Sequence, residues 1–411
     1  MRRLRTDFVE TFLVEIAALA AGLWLYRAAS LQLGVAGFAE YALARRVISL
    51  LQPVVVLGMD VGVVRYVAMA MGDRAQIARH AGTAAAVMAG AVVVVCGVLL
   101  LFPEPSARLL FGTSRSSHLI VPLLWMIAGG ALLPFAYSYL RGRSWGRPAN
   151  LLQLLAQAVG PVVAITVAGS RTTWAIGGIG IGWVAASAAM LLAFRPPLVR
   201  PAGRDLSRPL VRYGLARFPG DLIQVALFSV PPILVAHAVD QPTAAVFAMG
   251  IAVVTMVGSM FVPVGHVLLP EASRLVKTGD TLRLKRHVVR LLAVVSVVAT
   301  AGVAAAVALA PWIIHSYLEL ELAGAVGELR LVVWAAIPFA LYMAARRILD
   351  AVHEAPVNAL NLGVAFGAFL AVAGLGALGG FGALGVRVGF LAGCAVLAAL
   401  TLRSLRRALF T

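Results

Sequence analysis

The chain has 411 residues, of which 61% are hydrophobic and only 12% are charged, and its mean hydropathy is +0.95. Soluble domains are about 45 to 50% apolar, so this composition excludes a water-soluble globule. A helix that crosses the hydrocarbon core of a bilayer needs about 20 apolar residues. Most of the chain is therefore expected to lie in a membrane, without a sizeable domain outside it.

The net charge is +17, from 34 lysines and arginines against 17 acids, and only Lys277 and Lys285 are lysines. In a soluble chain such an excess would point to nucleic acid. Here the arrangement of the loops accounts for it, and no nucleic-acid partner is expected. Cys96 and Cys394 both lie in apolar runs, so we expect neither a disulfide framework nor a metal cluster.

Twelve apolar stretches, separated by short polar breaks, predict twelve transmembrane helices. They lie near residues 8–31, 38–58, 81–103, 119–140, 150–169, 175–194, 216–238, 244–268, 288–311, 329–347, 357–377 and 381–402. The first could be mistaken for a signal peptide, but Glu10 and Glu15 inside it and its continuation to Leu31 favour an uncleaved helix.

Alternate loops differ strongly in arginine content. If the N-terminus is cytoplasmic, that side carries the arginine-rich loops, including the cluster from Arg195 to Arg212. The opposite side then carries Arg108, Arg115, Arg171 and Arg330. By the positive-inside rule we expect both termini in the cytoplasm, and the basic surface should attract anionic lipid headgroups of the bilayer.

The two halves of the chain repeat a set of landmarks in the same order, at offsets of 207 to 210 residues. Pro53, Arg65, Gly72-Asp73, Arg79-His80, Pro103 and Pro148-x-Asn150 correspond to Pro263, Arg274, Gly279-Asp280, Arg286-His287, Pro311 and Pro356-x-Asn358. We therefore predict an all-α polytopic membrane protein with two pseudo-symmetric six-helix lobes, at residues 1–194 and 213–411, joined by a cytoplasmic linker at 195–212. Such lobes place a substrate site between them near the membrane midplane.

Several enzymatic functions lack the residues that they require. Neither lysine follows a glycine, as a Walker phosphate loop demands, and the seven histidines are scattered without zinc-ligand spacing. The largest external loops, 103–118 and 312–328, are too small to fold alone, which disfavours a membrane-embedded glycan polymerase or transferase. We therefore expect a transporter and not an enzyme.

Ionisable residues within or at the edges of the predicted helices are the candidates for a binding site. They are Glu10, Glu15, Arg27, Glu40, Arg45, Arg46, Asp60, Arg65, Arg217, Asp221 and Arg387. An arginine that faces lipid at the centre of a helix costs about 2.5 to 3.5 kcal/mol. Most of these side chains must therefore face protein, water or the membrane interface.

Arg45 and Arg46 are the strongest candidates for substrate ligands, because they lie about a third of the way into the second helix, too deep for easy snorkelling. Adjacent helical residues point about 100° apart, so we expect that the two cannot share one partner. Forked guanidinium donors match phosphate oxygens, which indicates a polar cavity and an anionic substrate. The alternative is structural pairing with Glu40 or Glu15.

The other charged residues have structural explanations beside the functional one. Arg27 could snorkel to the external headgroups, Arg217 and Asp221 are four residues apart and could neutralise each other, and Arg387 could snorkel or line the second lobe. All three arginines stay candidates for substrate binding. Glu10, Glu15, Glu40 and Asp221 stay candidates for counter-ions or for coupling to an ion.

With these residues in view, the chain resembles oligosaccharide-lipid flippases of the Wzx type, in the multidrug, oligosaccharidyl-lipid and polysaccharide exporter superfamily. The resemblance covers nearly the whole chain. It rests on residues 37–44, Pro53 and 57–66 around the second helix, on Leu210-Val211-Arg212-Tyr213-Gly214-Leu215, and on Leu269-Pro270, Ser273-Arg274-Leu275 and Gly279-Asp280. One departure concerns the proline that usually follows the Tyr-Gly-Leu stretch, since Ala216 stands there and Pro219 comes later.

The resemblance implies a V-shaped pair of lobes around a cationic central cavity. It implies a flippase that moves a polyprenyl-diphosphate-linked oligosaccharide across the bacterial inner membrane by alternating access, for the assembly of O-antigen, capsule or exopolysaccharide. A glycan polymerase and other assembly proteins are the implied protein partners. No cofactor is expected, and H⁺ or Na⁺ is the candidate coupling ion.

Three other classes of transporter are alternatives. A small-molecule exporter of the same superfamily that expels organic cations should carry unpaired acids, whereas the intramembrane set here has six arginines and five acids. A flippase for the lipid-linked peptidoglycan precursor stays open as an alternative. Facilitators of the major superfamily also have six plus six helices, but the loop after Gly72 lacks their Gly-x-x-x-Asp-Arg-x-Gly-Arg pattern.

Overall fold

The computed structural model describes residues 2–196, 204–261, 281–352 and 357–410, and within these ranges it contains helices and no strand. The first half comprises α1 (Arg2–Val56), α2 (Met59–Met69), α3 (Arg74–Leu101), α4 (Pro103–Phe111), α5 (Ile120–Gly142), α6 (Gly146–Leu154), α7 (Gly160–Ala168) and α8 (Thr172–Phe194). The second half comprises α9 (Arg204–Ala238), α10 (Gln241–Ser259), α11 (Thr281–Trp312), α12 (Ala325–Val332), α13 (Ala336–Val352), α14 (Val357–Leu378) and α15 (Ala383–Phe410). The predicted all-α fold is confirmed.

Eleven stretches of described helix are long and apolar enough to cross a membrane. The first of them, Glu10–Val56, has 47 residues, about twice the length that one crossing requires. It is interrupted at Gly34, so it accounts for two of the predicted crossings. The number of twelve predicted helices therefore agrees with the structure.

The chain reverses inside α1 at Gly34, whose φ of 69° and ψ of −178° lie outside the helical region. This combination of angles is essentially available to glycine alone. The reversal brings Tyr26 against Phe38 and Tyr41 from the following segment, with ring centroids 6.2 Å apart in both pairs. Gly34 thus makes a helical hairpin out of the first two membrane crossings.

A second break, at Leu57 and Gly58, separates α1 from α2, and both residues have positive φ, at 52° and 68°. A Cβ on Gly58 would collide with the carbonyl oxygen of Gly214 in α9. A Cβ on Gly214 would in turn lie 3.0 Å from the carbonyl oxygens of Leu57 and Gly58. The Gly58 and Tyr213-Gly214 motifs therefore meet at a close backbone contact between two helices.

The Gly72-Asp73 landmark starts the next helix. Gly72 has a φ of 103°, and the Asp73 carboxylate accepts hydrogen bonds from the backbone of Ala75 at 2.9 Å and Gln76 at 3.0 Å, as an N-cap of α3. Its repeat counterpart Gly279-Asp280 precedes α11 directly in the sequence but lies outside the described residues. So do Pro263, Leu269-Pro270, Ser273-Arg274-Leu275, Lys277 and Pro356.

The chain forms two compact units, Met1–Val225 and Ala226–Thr411. The core of the N-terminal unit contains the buried aromatic residues Phe38, Tyr41, Phe111 and Tyr139. The core of the C-terminal unit includes an aromatic cluster in which Phe228 lies 4.5 Å from Phe339 and 5.7 Å from Phe390, between ring centroids. The predicted linker at 195–212 and the lobe boundaries beside it stay predictions, since residues 197–203 lie outside the described part and α9 is helical from Arg204.

We expect Gly58→Ala to reduce the free energy of unfolding by about 1 to 3 kcal/mol, because it combines a strained φ with a clash against the Gly214 carbonyl. Thermal unfolding in detergent or nanodiscs measures the change. Gly72→Ala is the matched control, since Gly72 also has positive φ but nothing lies within 4 Å of its added Cβ. Equal losses in the two variants would contradict a role for the contact between α1 and α9.

Candidate functional site

Arg45 lies on the second arm of α1, where two tyrosines hold its guanidinium group. Its Nη1 donates a hydrogen bond of 3.3 Å to the Tyr41 hydroxyl, and its Cζ lies 5.2 Å from the ring centroid of Tyr26 and 5.9 Å from that of Tyr41. In the described part of the chain no ion pair joins Arg45 to a carboxylate. The tyrosines stabilise the cation without neutralising it.

Arg46 also contacts Tyr26, through a hydrogen bond between their side chains. The expectation that Arg45 and Arg46 cannot share one partner is therefore wrong. A tyrosine has two distinct binding surfaces, and Tyr26 presents its ring face to Arg45 and its hydroxyl to Arg46. The two guanidinium groups can thus point apart and still be held by one side chain.

The carboxylates expected as alternative partners of these arginines are bound elsewhere. The Glu40 Oε1 lies 3.1 Å from the Nε2 of His118, and the Glu15 Oε1 accepts a hydrogen bond of 2.9 Å from the Nε2 of Gln153. Glu10 forms an ion pair of 3.2 Å with Arg147. These three acids therefore act as counter-ions or acceptors for groups other than Arg45.

A cavity of about 200 Å³, here called the Arg45 cavity, lies beside this arginine inside the N-terminal unit. Its polar lining comprises Tyr41, Arg45, Ser49, Gln52, Gln157 and Trp183. The Gln52 Nε2 donates a hydrogen bond to the carbonyl oxygen of Gly130 at 3.2 Å, which leaves the amide oxygen available. The cavity therefore combines one cationic group with hydroxyl and amide groups that can hydrogen-bond a polar ligand.

Gln157 reaches the Arg45 cavity from a π-helical turn, Leu155–Val159, between α6 and α7. The Trp183 Nε1 donates a hydrogen bond of 2.6 Å to the carbonyl oxygen of Ala156 in this turn. Single π-turns are frequently found at functional sites, because the widened turn shifts the side chains around it. This turn fixes the indole ring and exposes the Gln157 amide.

A second cavity of about 240 Å³, here called the Glu15 cavity, shares Gln52, Leu133 and Gln157 with the first. Its other polar groups are Glu15, Tyr137 and Gln153. Nearby, Arg141 donates hydrogen bonds to the Tyr137 hydroxyl at 3.0 Å and to the Asn150 Oδ1 at 2.7 Å. The shared lining joins the two cavities into one polar region of the unit.

The remaining predicted residues of the N-terminal unit do not line these cavities. Arg27 is half-buried on α1, and its backbone carbonyl accepts a hydrogen bond of 2.8 Å from the Ser30 hydroxyl. Arg217 on α9 is exposed and faces Asp60, while Asp221 is half-buried one turn further on. Burial raises the pKa of Asp60, and the charge of Arg217 acts in the opposite direction.

Arg387 lies in the C-terminal unit and forms a two-pronged ion pair with Glu328. The Nε lies 3.0 Å from Oε1 and Nη2 lies 2.6 Å from Oε2, and the side chains are only 23% and 6% exposed. Arg387 therefore belongs to a different unit from Arg45 and Arg46. Glu328 was missed because the sequence assigns it to a loop, whereas α12 begins before it, at Ala325.

Sequence reasoning also missed Tyr26, Tyr41, Gln52, Gln157 and Trp183. Their signal in the sequence is the presence of polar and amphipathic side chains inside predicted membrane helices, whereas the predicted candidates are charged residues only. No group of three histidine, cysteine, aspartate or glutamate side chains in the described ranges comes together as a metal site. The functional candidates are therefore one cationic, amide-rich region and one neutralised ion pair.

Several solved transporter structures share this fold. An inward-facing multidrug resistance MATE family transporter of the MOP superfamily matches with a TM-score of 0.80 and 16% identity over 96% of this chain and 94% of its own. The lipid II flippase MurJ in an inward closed conformation matches with a TM-score of 0.72 and 13% identity over 98% and 87%. The eukaryotic MATE transporter AtDTX14 matches with a TM-score of 0.65 and 14% identity over 98% of both chains.

No family model and no curated protein matches the sequence. These three structural matches are below 20% identity and extend over nearly the whole chain, so they establish its architecture. The chain has the fold of MATE transporters and of MurJ.

We expect Arg387→Met to reduce the free energy of unfolding by about 3 to 5 kcal/mol, because it leaves the buried Glu328 carboxylate without its partner. The double variant Arg387→Met/Glu328→Met removes both charges, and we expect it to regain most of that loss. Thermal unfolding of the purified variants measures both effects. Additive losses in the double variant would show that the two side chains do not act as a pair.

Proposed function

We propose that this protein is a flippase that moves a polyprenyl-diphosphate-linked oligosaccharide from the cytoplasmic to the external leaflet of a bacterial inner membrane. The glycan would serve the assembly of a surface polysaccharide such as O-antigen, capsule or exopolysaccharide. The two lobes would expose the substrate site to each side in turn. Both termini would lie in the cytoplasm, as the arginine distribution favours.

The observation that carries this proposal is the environment of Arg45. Its charge is held by tyrosine rings and a hydroxyl rather than by a carboxylate, and it borders a polar cavity. A guanidinium group in this state can still donate paired hydrogen bonds to the oxygens of a phosphate. An anionic headgroup that enters the membrane interior would gain a counter-charge there.

The fold adds support for a lipid-linked substrate. MurJ, which shares the fold, is named as a flippase for lipid II. A helical bundle of this kind is therefore compatible with movement of a large amphiphile whose lipid part stays in the bilayer. The glycan polymerase and the other assembly proteins would be partners on the external side.

The charged residues take different roles in this proposal. Arg45 and Arg46 would bind the diphosphate, and Arg27 and Arg217 would assist at the edges of the path. Arg387 is the weaker candidate for the diphosphate, because Glu328 neutralises it.

The acids would serve as counter-ions or take part in coupling to H⁺ or Na⁺. Glu15 is the strongest candidate for coupling because it lines a cavity. Glu10, Glu40 and Asp221 would balance charge.

The second candidate function is export of small molecules, which the similarity to a multidrug MATE transporter supports. The aromatic side chains Tyr41 and Trp183 in the Arg45 cavity could hold a planar compound. The uncompensated arginine would repel organic cations, so anionic or neutral compounds would be the substrates. A third candidate function is that of a peptidoglycan-precursor flippase, which the similarity to MurJ supports.

We expect Arg45→Ala to reduce glycan export about tenfold or more, since a hydrogen bond to a charged group contributes about 1.5 to 3 kcal/mol. Arg46→Ala and the double variant should also lose export. Complementation of a strain that lacks the protein measures the surface polysaccharide. Arg79→Ala, which removes an exposed arginine near the predicted cytoplasmic end of α3, is the matched control. Full export by all three variants would refute the site.

The substrate class is tested by depletion of the protein. We expect a polyprenyl-diphosphate-linked oligosaccharide to accumulate, protected from an impermeant reagent that acts on the external leaflet only. Increased sensitivity to small toxic compounds with normal glycan display would favour the small-molecule exporter. Accumulation of the peptidoglycan precursor would favour the third function.

A further inference from the structure

A third cavity, here called the Glu328 cavity, lies inside the C-terminal unit and has a volume of about 310 Å³. It is bordered by Thr243 on α10, by the turn that ends at Gly324, by Gly327 and Glu328 on α12, and by Arg387 on α15. Its volume is at the lower end of the range of about 300 to 1,000 Å³ that is typical of small-molecule sites. These elements adjoin the loops at 239–240 and 318–324, which the topology predicts on the external side.

The ion pair of Glu328 and Arg387 supplies the cavity with both donors and acceptors. A guanidinium group has five N–H donors, and a carboxylate can accept about four hydrogen bonds. The pair uses two of each, at 3.0 Å and 2.6 Å. Three donors and two acceptors remain on groups that line the cavity, and the Thr243 hydroxyl adds one of each kind.

The charge of the cavity selects the class of ligand. Arg387 and Glu328 cancel each other, so neither an anion nor a cation gains net Coulomb attraction there. A neutral ligand with several hydroxyl groups, each of which donates and accepts, matches the unused hydrogen-bonding groups best. No Cβ blocks the approach at Gly324 and Gly327, where nothing lies within 4 Å of an added Cβ.

We infer that the Glu328 cavity is a carbohydrate subsite that binds one or two uncharged sugar units. The assignment of these sugars to the transported glycan rests on the proposed function. The subsite would hold the glycan near the external end of the C-terminal unit while arginines of the N-terminal unit hold the diphosphate. Arg387 would then bind sugar hydroxyls together with Glu328.

The inference is tested on the full-length protein in nanodiscs, with maltose and N,N′-diacetylchitobiose as uncharged probes and glucuronic acid as an anionic probe. Isothermal titration and saturation-transfer NMR measure binding. We expect at least one uncharged probe to bind, and Gly327→Leu to weaken it tenfold or more by filling the cavity. Gly302→Leu is the matched control, because Gly302 is a helical glycine of the same unit with open space around it that does not line the cavity.

Glu328→Gln keeps the shape of the side chain and leaves the charge of Arg387 uncompensated, so it should shift the preference from the uncharged probes to glucuronic acid. Absence of binding by both uncharged probes to the wild-type protein would overturn the inference. Unchanged binding by Gly327→Leu would also overturn it.

The outcomes separate this inference from the proposed function. One possible result is that Gly327→Leu abolishes sugar binding while the Arg45 and Arg46 variants keep full glycan export. That result would support the carbohydrate subsite and refute the proposed diphosphate site. If the arginine variants lose export and the wild-type protein binds no sugar, the diphosphate site is supported and the carbohydrate subsite is refuted.

Discussion

A guanidinium group inside a bundle of membrane helices loses water that other groups must replace, and without replacement its burial is costly. At Arg45 the replacement comes from the ring faces of Tyr26 and Tyr41 and from the Tyr41 hydroxyl. These contacts reduce the cost of burial but do not cancel the charge. A carboxylate partner would cancel it. Arg45 can reach Tyr26 only because α1 reverses at Gly34, in a conformation that other residues rarely adopt. The local backbone and the charged site are therefore linked.

The C-terminal unit handles its buried arginine in a different way. Arg387 has a carboxylate partner that is itself 6% exposed, so the pair is neutral and keeps hydrogen-bonding groups on the wall of a cavity. Removal of one member of a buried pair is costly, whereas a pair as a whole contributes little stability compared with apolar packing. Such a pair is therefore poorly explained by stability alone. The two units present chemically different surfaces, one cationic and one neutral, even though their sequences repeat the same landmarks.

The sequence was sufficient to predict the helices, because hydrophobic length acts within one segment. It also singled out the arginines inside them as candidates, because a charge in lipid is costly wherever its partners lie. It could not predict which groups meet. The two predicted helices at 8–31 and 38–58 place a turn between them, but they do not show which side chains meet across it. The backbone geometry at Gly34 decides that Tyr26 holds Arg45 and Arg46. Glu328 was assigned to a loop because the helical signal of α12 starts only one turn before it. The π-turn at Leu155–Val159 accepts a hydrogen bond from Trp183, a residue in another helix, and such a contact between distant residues has no local signal in the sequence.

Under the proposed function, the sizes of the cavities constrain how a lipid-linked glycan would cross the membrane. Cavities of about 200, 240 and 310 Å³ can hold a phosphate group or one or two sugar units, but not a polyprenyl chain. The polyprenyl chain needs no cavity, because it can stay in the bilayer. Each of its CH₂ groups that left the bilayer for water would cost about 0.8 kcal/mol. The energetic problem of flipping is therefore confined to the headgroup. Charge compensation for the diphosphate and hydrogen bonds for the sugars are separate requirements. In the proposed function the Arg45 cavity would meet the first and the Glu328 cavity the second, without enclosing the lipid.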